Sequence, residues 1–238
     1  MNDLWSKHAQ RFYAKRIHLK KDEHRYHKFA QAYKKIVSIL NIYPPCAFLD
    51  MGCGSGEMAQ AVMEDVDLYL GVDISFESLI VARRHNPHGS FILADMTTFY
   101  AKKRFDFITM ISSLEFCHDK HAALRQVREA LKPSGRLYVE VRNSDFLLFK
   151  VIAPFMSFFQ KVGLILPYEA EGFKDLSIDE WSHLFVDSGF RIVSKRRSIR
   201  PTLYGSSLTR IKNSLIKLTS ITAPKNYHYL VGFLCVKM

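Results

Sequence analysis

Cysteine is scarce and scattered. Cys46, Cys53, Cys117 and Cys235 form no C-x-x-C pair and no Cys/His cluster, which excludes a zinc site of ordinary ligand spacing and reads as reduced thiols in or near the core. No apolar stretch follows Met1-Asn2-Asp3-Leu4-Trp5, so export is not expected and the cytoplasm is. No repeat recurs at a fixed period, which excludes a solenoid. Acids are absent from residues 191–238, which hold 10 Lys and Arg. Glycine numbers only 11, yet three of these alternate at Gly52, Gly54 and Gly56.

What is present is enough apolar residue, 48% of 238, to build one large domain, or one domain with a modest insertion, and to argue against disorder. The formal net charge of +11 is uneven. Residues 1–40 hold 10 basic side chains against 3 acids, and residues 41–190 hold 14 against 20. An acidic centre between two basic ends favours an anionic partner: a phosphorylated substrate, a nucleic acid or an anionic membrane face. Solvated helix faces and a basic edge strand would give the same count.

The organising stretch is Phe48-Leu49-Asp50-Met51-Gly52-Cys53-Gly54-Ser55-Gly56. An apolar strand runs into a glycine turn and then a helix, an arrangement that brings backbone close to a nucleotide-like ligand. Residues 5–40 read as a basic helix, most regular from Phe29 on, with Pro44-Pro45 as its stop. Strands are expected at 46–50, 68–72, 90–94, 105–111 and 136–141. Helices are expected after Gly56, at 76–84 with Ser75 as cap, and at 121–131. This βα alternation predicts a doubly wound α/β fold with parallel strands. Ser177-x-x-Glu180 is a capping box for a helix that stops at Gly189. Strands at 190–197 and 229–237 then finish the sheet antiparallel. The apolar stretch 146–166, interrupted by Lys150, Pro154 and Lys161, breaks the rhythm. It reads as a lid over the substrate, a membrane-contacting segment or an interface. The expected organisation is a basic helical region 1–43, then a domain 44–238 with an apolar insertion at 146–172 and a basic excursion at 200–226.

The pattern D-x-G-x-G-x-G at 50–56, with Asp73 ending a second apolar run, resembles the class I S-adenosylmethionine-dependent methyltransferases. The nearest confusion, a dinucleotide enzyme, would place Gly or Ala at position 57. Glu57 stands there and would repel a pyrophosphate. The resemblance covers roughly residues 44–143 and 173–198. It implies a Rossmann-like sheet of seven strands, mostly parallel, with helices on both faces, and S-adenosylmethionine as cofactor.

Residue by residue, the resemblance puts Gly52, Gly54 and Gly56 under the methionine part of the cofactor. It directs Asp50 through that loop toward the cofactor's amino group or an ordered water. Asp73 would accept both ribose hydroxyls, because one carboxylate matches a cis-diol. Ile74 would pack on adenine, Asp95 and Met96 would meet its amine and ring, and Ile111 and Ser112 would line the reactive side. The stretch 111–119 is similar to the branch acting on small metabolites, where Glu-His-x-x-Asp is common. Here Glu115 is followed by Phe116, and His118 comes two places later. His118 is the candidate base, and Glu115 the candidate for orienting loop or substrate. The expected acceptor is a small or lipid-like anionic molecule, with peripheral membrane contact through 146–166. Two other readings stay open: an RNA methyltransferase gripping phosphates with its basic flanks, and a cofactor-binding partner protein without catalysis.

Overall fold

The computed structural model describes residues 23–102, 104–145, 176–198 and 230–238. The insertion at 146–172, the excursion at 200–226 and the helix expected before residue 23 lie outside them.

Apolar runs and their caps set the elements. Helix α1 (Glu23–Leu40) buries Tyr26, Ala30, Ile36 and Leu40. It ends before the prolines: Asn41 turns left-handed at φ 51°, and its N–H returns to the Val37 carbonyl at 3.1 Å. Asn tolerates that conformation better than most residues, so Asn41, and not Pro44-Pro45, stops the helix. Strand β1 (Ala47–Met51) leads through the glycine turn into α2 (Glu57–Val62). Then come β2 (Leu68–Asp73), α3 (Phe76–His85), β3 (Ser90–Leu93) and β4 (Phe105–Ile111).

Ser75 caps α3 by accepting the Ser78 N–H at 3.2 Å. A 3-10 turn at Leu114–Phe116 precedes α4 (Lys120–Ala130), whose N-cap is Asp119. Strand β5 (Leu131–Arg142) starts earlier than the sequence suggests. Phe105 pairs with Leu131 and Phe107 with Arg136, so residues 132–135 form a bulge within the strand rather than a turn before it. Helix α5 (Ile178–Asp187) carries the complete Ser177/Glu180 capping box. Gly189, at φ 81°, leads into β6 (Phe190–Ser198), and β7 (Leu230–Lys237) closes the sheet.

The seven strands lie in the order β3-β2-β1-β4-β5-β7-β6. Neighbours from β3 to β5 are parallel, and β7 runs antiparallel to both β5 and β6. Period-two alternation sorts the side chains onto two faces. Leu49, Met51, Ile108, Met110, Val139 and Phe233 pack with α4 and α5. Phe48, Tyr69, Phe107 and Tyr138 pack with α1, α2 and α3. All four cysteines are buried thiols. The chain leaves β1 toward β2 on one side and is flanked by β4 on the other. A crevice therefore opens beyond the carboxyl ends of β1 and β4, where open α/β sheets bind ligands.

Candidate functional site

At the end of β1 the glycines take conformations that other residues resist. Gly52, Gly54 and Gly56 have φ of 81°, 54° and 82°, in the left-handed region. Gly52 is also sterically confined. A Cβ built on it would collide with the Cβ of Ser113 and lie 3.5 Å from the Met96 methyl. The ends of β1, β3 and β4 thus converge on the bare flank of Gly52. Ser113 fastens two of them, its hydroxyl donating to the Met51 carbonyl at 2.8 Å. The residue before it, Ser112, holds φ 48° while its N–H donates to the Glu140 carbonyl at 2.8 Å. Such non-glycine backbone strain concentrates at functional sites.

Asp73 ends β2 with its carboxylate half-buried. Its Oδ2 accepts the Gly54 N–H at 2.8 Å, and its Oδ1 accepts the Ser75 N–H at 2.8 Å. One acid therefore ties the glycine turn to the cap of α3. Each carboxylate oxygen has a second acceptor direction, so the same group can also receive two adjacent hydroxyls. Asp95 shapes the turn after β3, its Oδ1 accepting from the N–H and hydroxyl of Thr97, both at 2.8 Å. Met96 follows it against Gly52. Ile111 is buried, and Ile74 is half-buried between Asp73 and Ser75.

Asp50 lies beneath the turn, only 3% exposed. The Thr109 hydroxyl donates to its Oδ1 at 2.8 Å and the Tyr69 hydroxyl to its Oδ2 at 3.2 Å. Burial pushes the Asp50 carboxyl up to about 7; the bonds from Thr109 and Tyr69 pull it down, and the charges of Glu57 and Asp73 push it further up. Tyr69 titrates well above its ordinary value, chiefly through burial. The hydrogen-bonded neighbours of Asp50 are therefore side chains of the sheet.

The two residues expected to act on the acceptor do not sit alike. Glu115 is buried in the 3-10 turn, with Arg142 Nε 3.9 Å from its Oε1. The Arg142 guanidinium also lies over the Phe116 ring at 5.3 Å. His118 is exposed, in a cleft of about 450 Å³ that it shares with Asp119, Lys120, His121, Leu176 and Leu184. Among the described residues no group of His, Cys, Asp and Glu side chains is placed to share a metal ion.

Four supporting residues escape the sequence pattern. Thr109 is legible in retrospect as a polar side chain inside an apolar strand. Ser113 lies in the stretch after β4 without a feature to single it out. Tyr26 and Asn86, which meet at the Gly56 carbonyl, stand 60 positions apart and carry no local signal.

A family model for a methyltransferase domain matches residues 6–195. The ubiquinone biosynthesis O-methyltransferase of Histophilus somni is 31% identical over 109 residues, covering 41% of this chain and 45% of that protein. The chain spans somewhat under half the length of the curated relatives it matches. Among solved structures, the 1,6-didemethyltoxoflavin-N1-methyltransferase of Burkholderia thailandensis, with 1,6-didemethyltoxoflavin and S-adenosylhomocysteine bound, superposes with a TM-score of 0.62. It shares 16% identity and covers 97% of this chain and 87% of its own. An S-adenosylmethionine-dependent methyltransferase of Thermotoga maritima gives 0.63 at 17% identity, over 96% and 99%. At these identities the structural likeness establishes the fold.

Proposed function

Because this chain belongs to the methyltransferase-domain family, we propose that it transfers a methyl group from S-adenosylmethionine to a small-molecule acceptor. The observation that carries the proposal is the Asp73 carboxylate, fixed by two backbone N–H groups beside a glycine turn whose Gly52 has no room for a side chain. The donor fits the residues present. An acceptor-only carboxylate suits a cis-diol, and Glu57 disfavours a pyrophosphate in the same place. In this reading Gly52, Gly54 and Gly56 run beneath the methionine part, and Asp50 faces the cofactor's amino group or an ordered water through that loop. Asp73 holds the ribose, and Ile74, Asp95 and Met96 surround the adenine. Ile111 and Ser112 line the reactive side.

When bound, the donor supplies a methyl group on a positively charged sulfur that leaves as a neutral thioether. The chain then needs no acid for the leaving group. Its residues have to align the acceptor, exclude water and, for a hydroxyl acceptor, take a proton. His118 is proposed for the proton, and Glu115, held near Arg142, for shaping the loop that carries His118. The acceptor is further proposed to be anionic or lipid-like. The basic residues of 1–40 and 191–238 support this, as do the printed names of relatives acting in ubiquinone biosynthesis. Peripheral membrane contact through 146–166 would follow. Co-sedimentation with anionic vesicles, lost on removal of that stretch, tests it.

Thermal unfolding with S-adenosylhomocysteine, followed by tritiated-methyl transfer onto the small-molecule and lipid fractions of a cell extract, tests the main proposal. A raised midpoint and a labelled small-molecule or lipid pool are expected. No shift, or label confined to RNA or protein, would overturn it.

A further inference from the structure

The third glycine of the turn is held from outside the turn. Gly56 is the N-cap of α2 in a left-handed conformation and has no side chain to cap with. Its carbonyl nonetheless collects three donors. The Tyr26 hydroxyl donates at 2.8 Å, the Asn86 amide nitrogen at 3.1 Å, and the Gln60 N–H, from within α2, at 3.3 Å. The same Asn86 nitrogen, which has two hydrogens, also lies 2.7 Å from the Tyr26 oxygen and 3.1 Å from the Ala82 carbonyl, so one of its N–H groups is shared between acceptors. The arrangement is tight, since a Cβ on Gly56 would come within 2.7 Å of Asn86 Nδ2.

Tyr26 is 2% exposed, and its ring stacks on His85 with centroids 4.0 Å apart and planes 15° apart. On the next residue, His27 Nδ1 meets Gln60 Nε2 at 2.9 Å. Helix α1 therefore reaches the start of α2 and the end of α3 together, and both polar contacts to α2 lie in its first helical turns.

We propose that Tyr26 is a positioning residue for the methyl donor, and that docking of α1 through Tyr26 and Asn86 sets the glycine turn in its binding shape. The proposal rests on the reading of the donor site given above. The physical reason is the stiffness of the peptide bond. Fixing the Gly56 carbonyl fixes the whole Gly56–Glu57 peptide plane, because C=O and N–H are rigidly opposed in a trans peptide. A glycine-rich turn has the largest backbone freedom to lose on binding. Holding one of its planes in advance removes part of that cost from the ligand, so the effect of Tyr26 falls on donor affinity. The basic helix that precedes the turn thereby becomes part of the donor site through its hold on Gly56.

The test is calorimetric titration of S-adenosylhomocysteine into the wild type, Tyr26→Phe, Asn86→Ala and Ile36→Val, at a temperature where circular dichroism shows each folded. Tyr26→Phe keeps the ring on His85 and removes only the hydroxyl. Ile36→Val loosens the packing of α1, where Ile36 is buried, without touching Gly56. Removal of one neutral hydrogen bond corresponds to roughly a threefold to tenfold weaker Kd. That is expected for Tyr26→Phe and Asn86→Ala, with less than additive loss in the double variant, and no change for Ile36→Val. Faster amide exchange of the turn is expected only in the first two. Equal affinities for wild type, Tyr26→Phe and Asn86→Ala, or an equal loss in Ile36→Val, would overturn the positioning role alone. Absence of binding by the wild type would overturn the donor reading itself, and this inference with it.

Discussion

The Gly54 N–H points at Asp73 Oδ2 from 2.8 Å, so the second glycine of the turn and the acid ending β2 are locked before any ligand arrives. With Ser75 bonded to the other oxygen, both carboxylate oxygens are held by backbone N–H groups, which sets the plane of the carboxylate. Asp73→Ala removes two charge-assisted bonds to a diol, each worth about 1.5–3 kcal/mol. S-adenosylhomocysteine affinity should fall by about a hundredfold or more, and the ligand-induced rise in melting temperature should vanish. A variant that still shows the wild-type shift would place the ribose elsewhere.

Gly52 and Ser113 test the crevice from another side. Gly52→Ala adds a methyl into the Ser113 side chain at a φ of 81°, and overpacking with backbone strain costs about 1–3 kcal/mol. The unfolding midpoint should drop by roughly 2–10 °C for a chain of this size. Ser113→Gly in the same chain should recover part of the loss, giving a positive coupling in the double-mutant cycle. Simple additivity would mean that the two residues do not share the space.

Legibility follows the range of the interactions. The strands, the caps at Ser75 and Ser177, and the glycine turn are local patterns, and each is found within a residue or two of where spacing puts it, except the start of β5, which comes five residues early. Asp73 belongs with them, because a strand end beside the switch point is a property of topology. Asn41 and the bulge at 132–135 were not legible. Whether Asn or Pro ends a helix depends on which residue first leaves helical φ, and a bulge depends on the register of the neighbouring strand. Tyr26, Asn86 and Ser113 gain their roles only when distant segments meet. Asp50 is the intermediate case. Its position was evident, but its closest contacts, Thr109 and Tyr69, come from two other strands.

That environment gives Asp50 a pH signature. The folded group titrates near 7, against about 3.9 in the unfolded chain. The folded state therefore holds the proton more tightly. This contribution to stability is greatest below pH 4, declines as pH rises from about 4 to 7, and is flat above. A change of roughly three pH units amounts to on the order of 4 kcal/mol. Asn at this position is neutral throughout; one of the two hydroxyls can go on donating to its oxygen while the other turns to accept from its amide N–H. Urea unfolding at pH 5 and pH 8 should find Asp50→Asn gaining on the wild type at the higher pH. Parallel pH profiles would mean that Asp50 keeps its charge across the range.

Glu115 and His118 predict opposite signatures, which separates architecture from proton transfer. Glu115 is buried with Arg142 Nε 3.9 Å away, and taking one member from such a pair leaves a buried charge uncompensated. Glu115→Gln should lower the melting temperature by several degrees. The methyl-transfer rate of the molecules that remain folded should change far less. His118 is exposed in the cleft before α4, and Asp119, not His118, caps that helix. His118→Ala should therefore leave both the melting temperature and S-adenosylhomocysteine binding near wild type. If the imidazole takes the acceptor's proton, the transfer rate to a hydroxyl acceptor should fall by about 100- to 10,000-fold. The loss should be smaller at high pH, where the acceptor ionises without help. A His118→Ala protein that transfers at the wild-type rate would remove His118 from the chemistry and leave alignment alone to account for the reaction.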